Sequence, residues 1–416
     1  MASTCQTGNF YAALQSLTLE ECDDESLTEE DEGVDSDFQL SHYEFDLLAT
    51  EEQCVFRPVF TRELLQQIAA DVAYIMPEQI KPKNQRGKGV IKNSQSNGLG
   101  MTVWQGIGKA DSVTIHYLTR IEMLPTFRKR FGALHERTKL LRSLNKDMTE
   151  DEFINHVTTP YFIESFHRLP NTIHNNASLM HHWRIKLKRT QSLWIASSSC
   201  SHLLDIISRG ASMLESPVTR IVCVGLGKLN VQPEWYQSAP QHMTVFSIAA
   251  ALDKLNKARF KGCRDVEIIA QDPCYEEKDF ILLQELAPTR ITFAHDDPNT
   301  LLAIDENTLL VSAYLPTSMP LAQIVADLSA DGKGKMKGPA MMLWDKMDDV
   351  RIERRWYCMR DRSSPGVARM LQGYVKWRRG FGALDERVEK NIRGKGKGRW
   401  RYWLEDMDLW VRRDVN

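Results

Sequence analysis

Short apolar runs alternate with helical stripes over the second half of the chain. Residues 221–224 form a β-branched run that ends at a glycine, which is typical of a buried parallel strand followed by a turn. Between such runs, apolar residues recur every three or four positions, as on one face of a helix. The predicted strands are 221–224, 266–270, 291–294, 308–314 and 339–344, and the predicted helices are 245–255, 276–286 and 321–328.

This alternation predicts an α/β protein. Strands that alternate with helices imply right-handed βαβ crossovers, and hence a Rossmann-like parallel sheet with flanking helices over residues 215–350. The N-terminal half is less regular. A capped helix is predicted to start at Thr61, a strand over 113–117, and helical segments within 147–168 and 183–209.

These patterns divide the chain into four parts. Residues 1–56 form an acidic tail, 57–190 a mixed α+β region packed on the core, and 191–350 the Rossmann-like domain. Residues 351–416 form a basic, aromatic-rich C-terminal extension.

Charge is distributed unevenly, although the net charge is only −2. The first 56 residues contain 15 acidic and no basic residues, whereas residues 351–416 contain 18 basic and 9 acidic residues. So dense an acidic segment buries too little apolar surface to offset chain ordering, and we expect it to be disordered. It would serve as a solubilising tail, as an intramolecular mask over the basic end, or as a docking tail.

The basic end mixes cations with aromatic rings. Such a segment could offer charge to phosphates and rings to unpaired bases, which makes nucleic acid a candidate partner. The residues concerned are Arg393, Lys395, Lys397, Arg399, Trp400, Arg401 and Trp403. The alternative is a basic loop and a short amphipathic helix whose tryptophans pack on the main domain.

Composition narrows the class of protein. The chain is 42% hydrophobic and 26% charged, which is ordinary for a globular protein, and no apolar run approaches the roughly 18 residues of a membrane span. The eight cysteines are scattered and never form C-x-x-C, which suits a reducing compartment. We therefore expect a cytoplasmic or nuclear protein without a secretory signal, a membrane partner or a metal site.

Ligands of doubly wound sheets bind outside the carboxyl ends of the strands. There, Gly225 and Gly227 would let the backbone approach a dinucleotide or S-adenosylmethionine, and Asp272 would bind ribose hydroxyls. The third glycine of G-x-G-x-x-G is replaced by Asn230. A plain tight turn at the glycines, and a cap or Asp-Pro turn at Asp272, explain the pattern equally well.

Two further strand ends carry candidate ligand-binding residues. His295, with Asp296 and Asp297, follows the third strand, and Tyr314 ends the fourth. Alternatively, His295 and the two aspartates are solvated turn residues, and the ring of Tyr314 packs against the protein. The chain lacks the G-x-S-x-G, H-E-x-x-H and kinase motifs, so no catalytic residue is predicted.

The order of these signals resembles the sensitivity-to-red-light-reduced-like (SRR-like) domain family. The matching residues are 221–227, ending Cys-Val-Gly-Leu-Gly; Asp272-Pro273 with Glu276 and Glu277; and 314–316, Tyr-Leu-Pro. The resemblance covers about residues 190–350. Family members often follow the late proline with a His-Cys pair, where this chain has Thr317-Ser318.

The resemblance implies a regulatory protein with a Rossmann-like fold and no established enzymatic activity or cofactor. Members of the family are linked to circadian and light signalling, haem-related regulation and microtubule-related processes. Three hypotheses follow: a regulatory protein that binds a nucleotide-type ligand or a protein partner, an S-adenosylmethionine-dependent methyltransferase, and a nucleic-acid-associated adaptor. Whether the chain is an enzyme stays open.

Overall fold

The structure is a computed structural model of the chain. It describes residues 43–53, 58–80, 90–91, 102–103, 112–124, 127–129, 149, 160–166, 173–229, 238–294, 298–330, 338–382 and 402–414. Within these ranges, no helix is both long and apolar enough to cross a membrane.

In the part of the N-terminal region that the structure describes, there are short paired strands and four α-helices. In chain order they are β1 (Phe45–Asp46), α1 (Leu47–Gln53), α2 (Arg62–Ile80), β2 (Val90–Ile91), β3 (Thr102–Val103), β4 (Ser112–Tyr117), β5 (Tyr161–Phe166), α3 (Ala177–Ile195) and α4 (Ser198–Ser212). The helices from 183 to 209 are confirmed. Residues 161–166, within the segment predicted to contain helix, instead form a strand that pairs antiparallel with β4.

The core follows from β6 onward. Its elements are β6 (Arg220–Val224), α5 (Ser238–Arg259), β7 (Glu267–Gln271), α6 (Glu277–Leu286), β8 (Ile291–Ala294), α7 (Pro298–Leu302), β9 (Thr308–Ser312), α8 (Leu321–Ser329), β10 (Met341–Asp345), β11 (Trp356–Tyr357), α9 (Pro365–Leu371), β12 (Tyr374–Arg379) and β13 (Met407–Arg412). All five predicted core strands are present, with bounds that differ from the predicted ones by at most two residues.

Seven strands form the central sheet in the order β12-β13-β10-β9-β6-β7-β8. The five strands from β10 to β8 are parallel, and the order of their chain numbers reverses between β6 and β9, as in a Rossmann-like sheet. The predicted fold class is thus confirmed. The carboxyl ends of β6 and β9 mark the topological switch point.

Helices cover both faces of the sheet, which is why the strands read as continuous apolar runs. Successive residues of β6 point to opposite faces: Ile221 and Cys223 pack in the hydrophobic cluster of α3 to α6. Val222 and Val224 pack in the cluster of α2, α7, α8 and α9. Every residue of β9 and β10 is buried.

The N-terminal region packs against the second of these clusters through α8. Oδ2 of Asp327 accepts the N–H groups of Val59 and Phe60 at 2.9 and 3.0 Å, and Oδ1 pairs with Arg120 at 2.7 Å. Because Asp327 is almost fully buried, these bonds replace its hydration and fix the N-terminal segment on the core.

The C-terminal segment contributes two strands to the sheet. The sequence predicts either a nucleic-acid-binding surface or a basic loop followed by a short helix, and among the described residues a strand forms in place of that helix. β13 lies between β10 and β12 and is antiparallel to both. Trp403, in the 3₁₀ turn before β13, is completely buried under the sheet. Its ring is therefore not available to stack on a base in this fold.

Candidate functional site

The turn after β6 contains the two glycines that the sequence singled out. Gly225 and Gly227 both have left-handed backbone conformations, with φ of +75° and +76°, which L side chains rarely adopt. The N–H of Gly225 donates to the carbonyl of Gln271 at 2.9 Å and so continues the pairing of β6 with β7. This geometry is that of a tight turn.

The space in front of Gly225 is filled by the protein itself. A Cβ at position 225 would overlap Cδ2 of Leu315, which reaches across the switch point from the end of β9. Leu315 is buried. The missing side chain at 225 therefore makes room for this leucine, and a ligand that approached the backbone there would have to displace it.

Asp272 ties this turn to the end of β7. Its Oδ2 accepts the N–H of Gly227 at 2.7 Å, and its Oδ1 accepts the N–H of Cys274 at 2.8 Å. Only about 5% of the residue is exposed. Asp272 thus makes the Asp-Pro turn that was one of its two interpretations. A ribose at this carboxylate would have to share it with the two backbone donors.

A buried polar chain lies beneath the glycine turn, and the sequence patterns did not reveal it. The Ser238 hydroxyl donates to the carbonyl of Gly227 at 2.6 Å. Nδ1 of His242 donates to the carbonyl of Ser238 at 2.7 Å, and the Tyr275 hydroxyl donates to Nε2 of His242 at 2.8 Å. Burial lowers the pKa of His242 to about 4, so the ring is neutral at physiological pH. Each polar atom has its partner within the protein, which makes this chain a support for the turn.

The segment that leaves the turn is held by the acidic start of α6. Asp279 is fully buried; its Oδ1 accepts the N–H of Leu229 at 3.0 Å and pairs with Lys278 at 2.9 Å. Lys228 pairs with Glu276 at 2.6 Å. These contacts give Glu276 and Asp279 structural roles at the start of α6.

A cleft opens one strand away, at the carboxyl ends of β9 and β10. We call it the β9–β10 cleft. It is partly open to solvent and is lined by Ser312, Leu315, Thr317, Met319, Pro320, Leu321, Ala322, Gln323, Trp344, Asp345, Met347, Asp361 and Arg362. Leu315 separates this cleft from the glycine turn, because it contacts Gly225 and also lines the cleft.

Asp345 connects the wall of the cleft to Tyr314. Its Oδ1 accepts the N–H of Tyr314 at 2.9 Å, while its Oδ2 pairs with Arg362 at 3.1 Å. Burial raises the pKa of Asp345, and the charge of Arg362 opposes that rise. The aspartate thus links the last residue of β10, the end of β9 and the segment before α9.

Tyr314 has a strained backbone and an exposed ring. Its φ is +52°, which is rare for a bulky residue and costs roughly 1–3 kcal/mol. About 43% of the residue is exposed, at the carboxyl edge of the sheet and next to Leu315 in the chain. Strain of this kind concentrates at binding and catalytic sites. Tyr314 is not among the residues that line the β9–β10 cleft, and its N–H bond to Asp345 is what connects it to that cleft.

The remaining predicted residues lie outside the part of the chain that the structure describes. This applies to His295, Asp296 and Asp297, and to the basic residues from Arg393 to Arg401 with Trp400. Ligand binding by His295 and its two aspartates stays a prediction, and so does nucleic-acid binding by the basic residues. Among the described residues, no group of three or more His, Cys, Asp or Glu could hold a metal ion.

The structure and sequence agree with one protein family. A family model of the SRR1 domain matches residues 197–374, from the residue before α4 to the first residue of β12. No curated protein and no solved structure matches the chain. The matched segment includes the glycine turn, Asp272, Tyr314 and the whole lining of the β9–β10 cleft. The chain therefore contains an SRR1 domain, and the resemblance inferred from its motifs is confirmed.

Proposed function

We propose that this protein is a regulatory protein whose SRR1 domain binds a nucleotide-type ligand in the β9–β10 cleft. The position of the cleft carries the proposal. It lies at the carboxyl ends of two neighbouring parallel strands, which is the edge where doubly wound sheets bind their ligands, one strand away from the switch point that Leu315 closes.

The lining of the cleft supports a ligand with one flat apolar part and one polar part. Leu315, Met319, Trp344 and Met347 provide an apolar surface against which a heteroaromatic base could pack. Arg362 provides a charged group in the same cleft. Six of the thirteen lining residues are polar or charged, so a ligand in the cleft would be held by hydrogen bonds as well as by apolar packing.

The glycine turn supports the methyltransferase hypothesis less well. S-adenosylmethionine would need open backbone at Gly225 and acceptors at Asp272. Leu315 covers the backbone at Gly225, and the Asp272 carboxylate already accepts the N–H groups of Gly227 and Cys274. In our proposal the residues of the turn shape the fold, and the ligand binds beyond Leu315.

The regulatory part of the proposal concerns a protein partner. Tyr314 presents an exposed ring beside the cleft, and its N–H bonds to an aspartate that lines the cleft. A ligand that contacts this aspartate or its arginine partner would shift the turn that carries the ring. Exposed tyrosines are frequent anchors of protein interfaces. We place this role in the cytoplasm or nucleus, in keeping with the scattered cysteines.

Titration calorimetry on the full chain tests the proposal. The probes are adenosine monophosphate, S-adenosylmethionine and NAD. Thr317→Trp places an indole in the cleft, and Thr289→Trp, at a half-buried position before β8, is the matched control. We expect saturable binding of at least one probe to the wild type and the control, and its loss in Thr317→Trp.

Two results would contradict the proposal. Binding that survives Thr317→Trp but disappears in Asp272→Asn would move the site to the glycine turn and favour the methyltransferase. No heat with any of the three probes, from a sample with a cooperative unfolding transition, would exclude a nucleotide-type ligand of this kind.

A further inference from the structure

The first turn of α8 faces the β9–β10 cleft with unused hydrogen-bond donors. Leu321, Ala322 and Gln323 all line the cleft. The N-cap residue is Pro320, which makes no side-chain cap. Among the described residues, the N–H groups of Ala322 and Gln323 have no acceptor. A helix N-terminus in this state carries partial positive charge and favours an anion.

A guanidinium group lies in the same cleft. Among the described residues, Arg362 contacts only Oδ2 of Asp345, at 3.1 Å. Its side chain is about 26% exposed, and a guanidinium has five N–H donors in a planar fork. Most of these donors are therefore available to a ligand that enters the cleft.

A third donor comes from the floor of the cleft. Trp344 is about 97% buried and lines the cleft, and its indole Nε1–H has no acceptor among the described residues. A buried donor without an acceptor destabilises the folded state. Such groups are uncommon in native proteins, where a buried donor normally meets an acceptor, and a ligand that reached Nε1 from the cleft would supply one.

The carboxylates of the cleft already have partners. Asp345 accepts the N–H of Tyr314 and pairs with Arg362. Asp361 accepts from Arg354 at 2.5 Å and from the N–H of Cys358 at 2.7 Å. Both carboxylates are thus already bonded, whereas the N–H groups of α8, most of the guanidinium and the Trp344 indole are donors that a ligand rich in acceptors would satisfy.

We propose that the first turn of α8 and Arg362 bind the phosphate group of the ligand. This inference rests on the proposed function and assigns one part of the site. The phosphate oxygens accept from the N–H groups of Ala322 and Gln323 and from the guanidinium, and a base lies over the apolar lining. This site lies after the fourth parallel strand, β9, and away from the glycine turn.

The test compares adenosine monophosphate, adenosine and inorganic phosphate by calorimetry on the full chain. We expect adenosine monophosphate to bind at least tenfold more tightly than adenosine. Arg362→Gln should reduce this ratio to near one, and Ala322→Pro, which removes one donor where a helix tolerates proline, should reduce it several-fold. Adenosine affinity should stay unchanged in both variants. Arg290→Gln, at an exposed site before β8, is the control and should keep the wild-type ratio.

The outcomes separate the two proposals. Equal affinity for adenosine and its monophosphate overturns the phosphate site and leaves the nucleotide-type ligand standing. Inorganic phosphate that binds as tightly as adenosine monophosphate, and is lost in Arg362→Gln, supports the anion site and overturns the nucleotide-type ligand. Binding of phosphate unchanged in both variants, or no binding of any probe to folded protein, overturns the phosphate site. If Arg362→Gln does not fold, Arg362→Lys, which keeps the charge beside Asp345 but loses the planar fork, takes its place with the same expected fall in the ratio.

Discussion

Leu315 occupies the space that a side chain at position 225 would need. The two residues lie 90 positions apart in sequence, at the ends of β9 and β6, and Cδ2 of Leu315 lies over the backbone of Gly225. The contact closes the switch point of the sheet and leaves the neighbouring cleft open. It also explains why glycine is needed at 225 without any ligand.

Gly225→Ala should therefore destabilise the protein through two effects. The left-handed backbone costs an L residue about 1–2 kcal/mol, and the overlap with Leu315 adds roughly 1–3 kcal/mol. Gly262→Ala is the control, since Gly262 has φ of +73° and nothing within 4 Å of an added Cβ, and it should show the first loss alone. Urea unfolding at neutral pH measures the free energy of unfolding of both variants. Equal losses in the two variants would contradict the role of Leu315.

Asp272 should behave as a structural residue. Asp272→Ala removes the acceptor of two backbone N–H groups, those of Gly227 and Cys274, and we expect a loss of about 2–4 kcal/mol in the free energy of unfolding. Asp272→Asn keeps one acceptor oxygen and should lose about half as much. Wild-type stability in Asp272→Ala would show that the carboxylate is not needed for the turn and would return it to the candidate ligand-binding residues.

The strands and helices of the core could be predicted because the surroundings of each element determine its sequence pattern. Strands covered on both faces are apolar throughout, and the helices between them are amphipathic. The last strand, β13, was missed because it carries Asp408 and Arg412 among its apolar residues. Both charges are buried with partners, Lys376 at 2.8 Å and Asp414 at 2.9 Å, which no local pattern reveals.

The residues that line the β9–β10 cleft were not predicted, for a similar reason. Of the predicted ligand-binding residues, Tyr314 is connected to the cleft through its N–H bond to Asp345 but is not among the residues that line it. Arg362 lines the cleft from a segment 17 residues beyond the end of β10, and its place depends on an ion pair with Asp345. Contacts between distant segments set this geometry, and sequence spacing does not contain them.

Trp403 should contribute stability and not nucleic-acid affinity. The ring is completely buried, so Trp403→Ala should cost about 3–5 kcal/mol in the free energy of unfolding. Trp356, which is 50% exposed, offers a matched control, and Trp356→Ala should cost about 1 kcal/mol or less. Denaturant titrations followed by circular dichroism compare the two. Similar losses would mean that Trp403 is not packed as described.

Deleting residues 393–416 should abolish cooperative folding. The deletion removes β13, and with it the strand that joins β12 to β10. We expect a chain ending at residue 392 to lose its sharp thermal transition in calorimetry. A cooperative transition near that of the wild type would show that β13 is dispensable. Nucleic-acid binding by the basic segment is consequently tested by substitutions of Arg393, Lys395 and their neighbours, which keep β13.

His242 should make the protein less stable as the pH falls. Its pKa is about 4 in the folded state, against an ordinary value of 6.5, because burial disfavours the charged ring. The unfolded chain then takes up a proton between about pH 6.5 and 4 that the folded chain does not, so this contribution to stability is present above pH 6.5 and is lost as the pH falls. Between pH 7.5 and pH 5 the loss amounts to about 2 kcal/mol.

A comparison with His242→Gln isolates this contribution from other titrating groups. Glutamine keeps a neutral polar side chain between Ser238 and Tyr275 but does not titrate, so the variant should lose about 2 kcal/mol less than the wild type between the two pH values. Its stability at pH 7.5 should be the lower of the two, because the bonds to Ser238 and Tyr275 fit an imidazole. Urea unfolding of both proteins at pH 7.5 and pH 5 supplies the four free energies. The same pH dependence in both proteins would mean that His242 is protonated, or exposed to water, in the folded state.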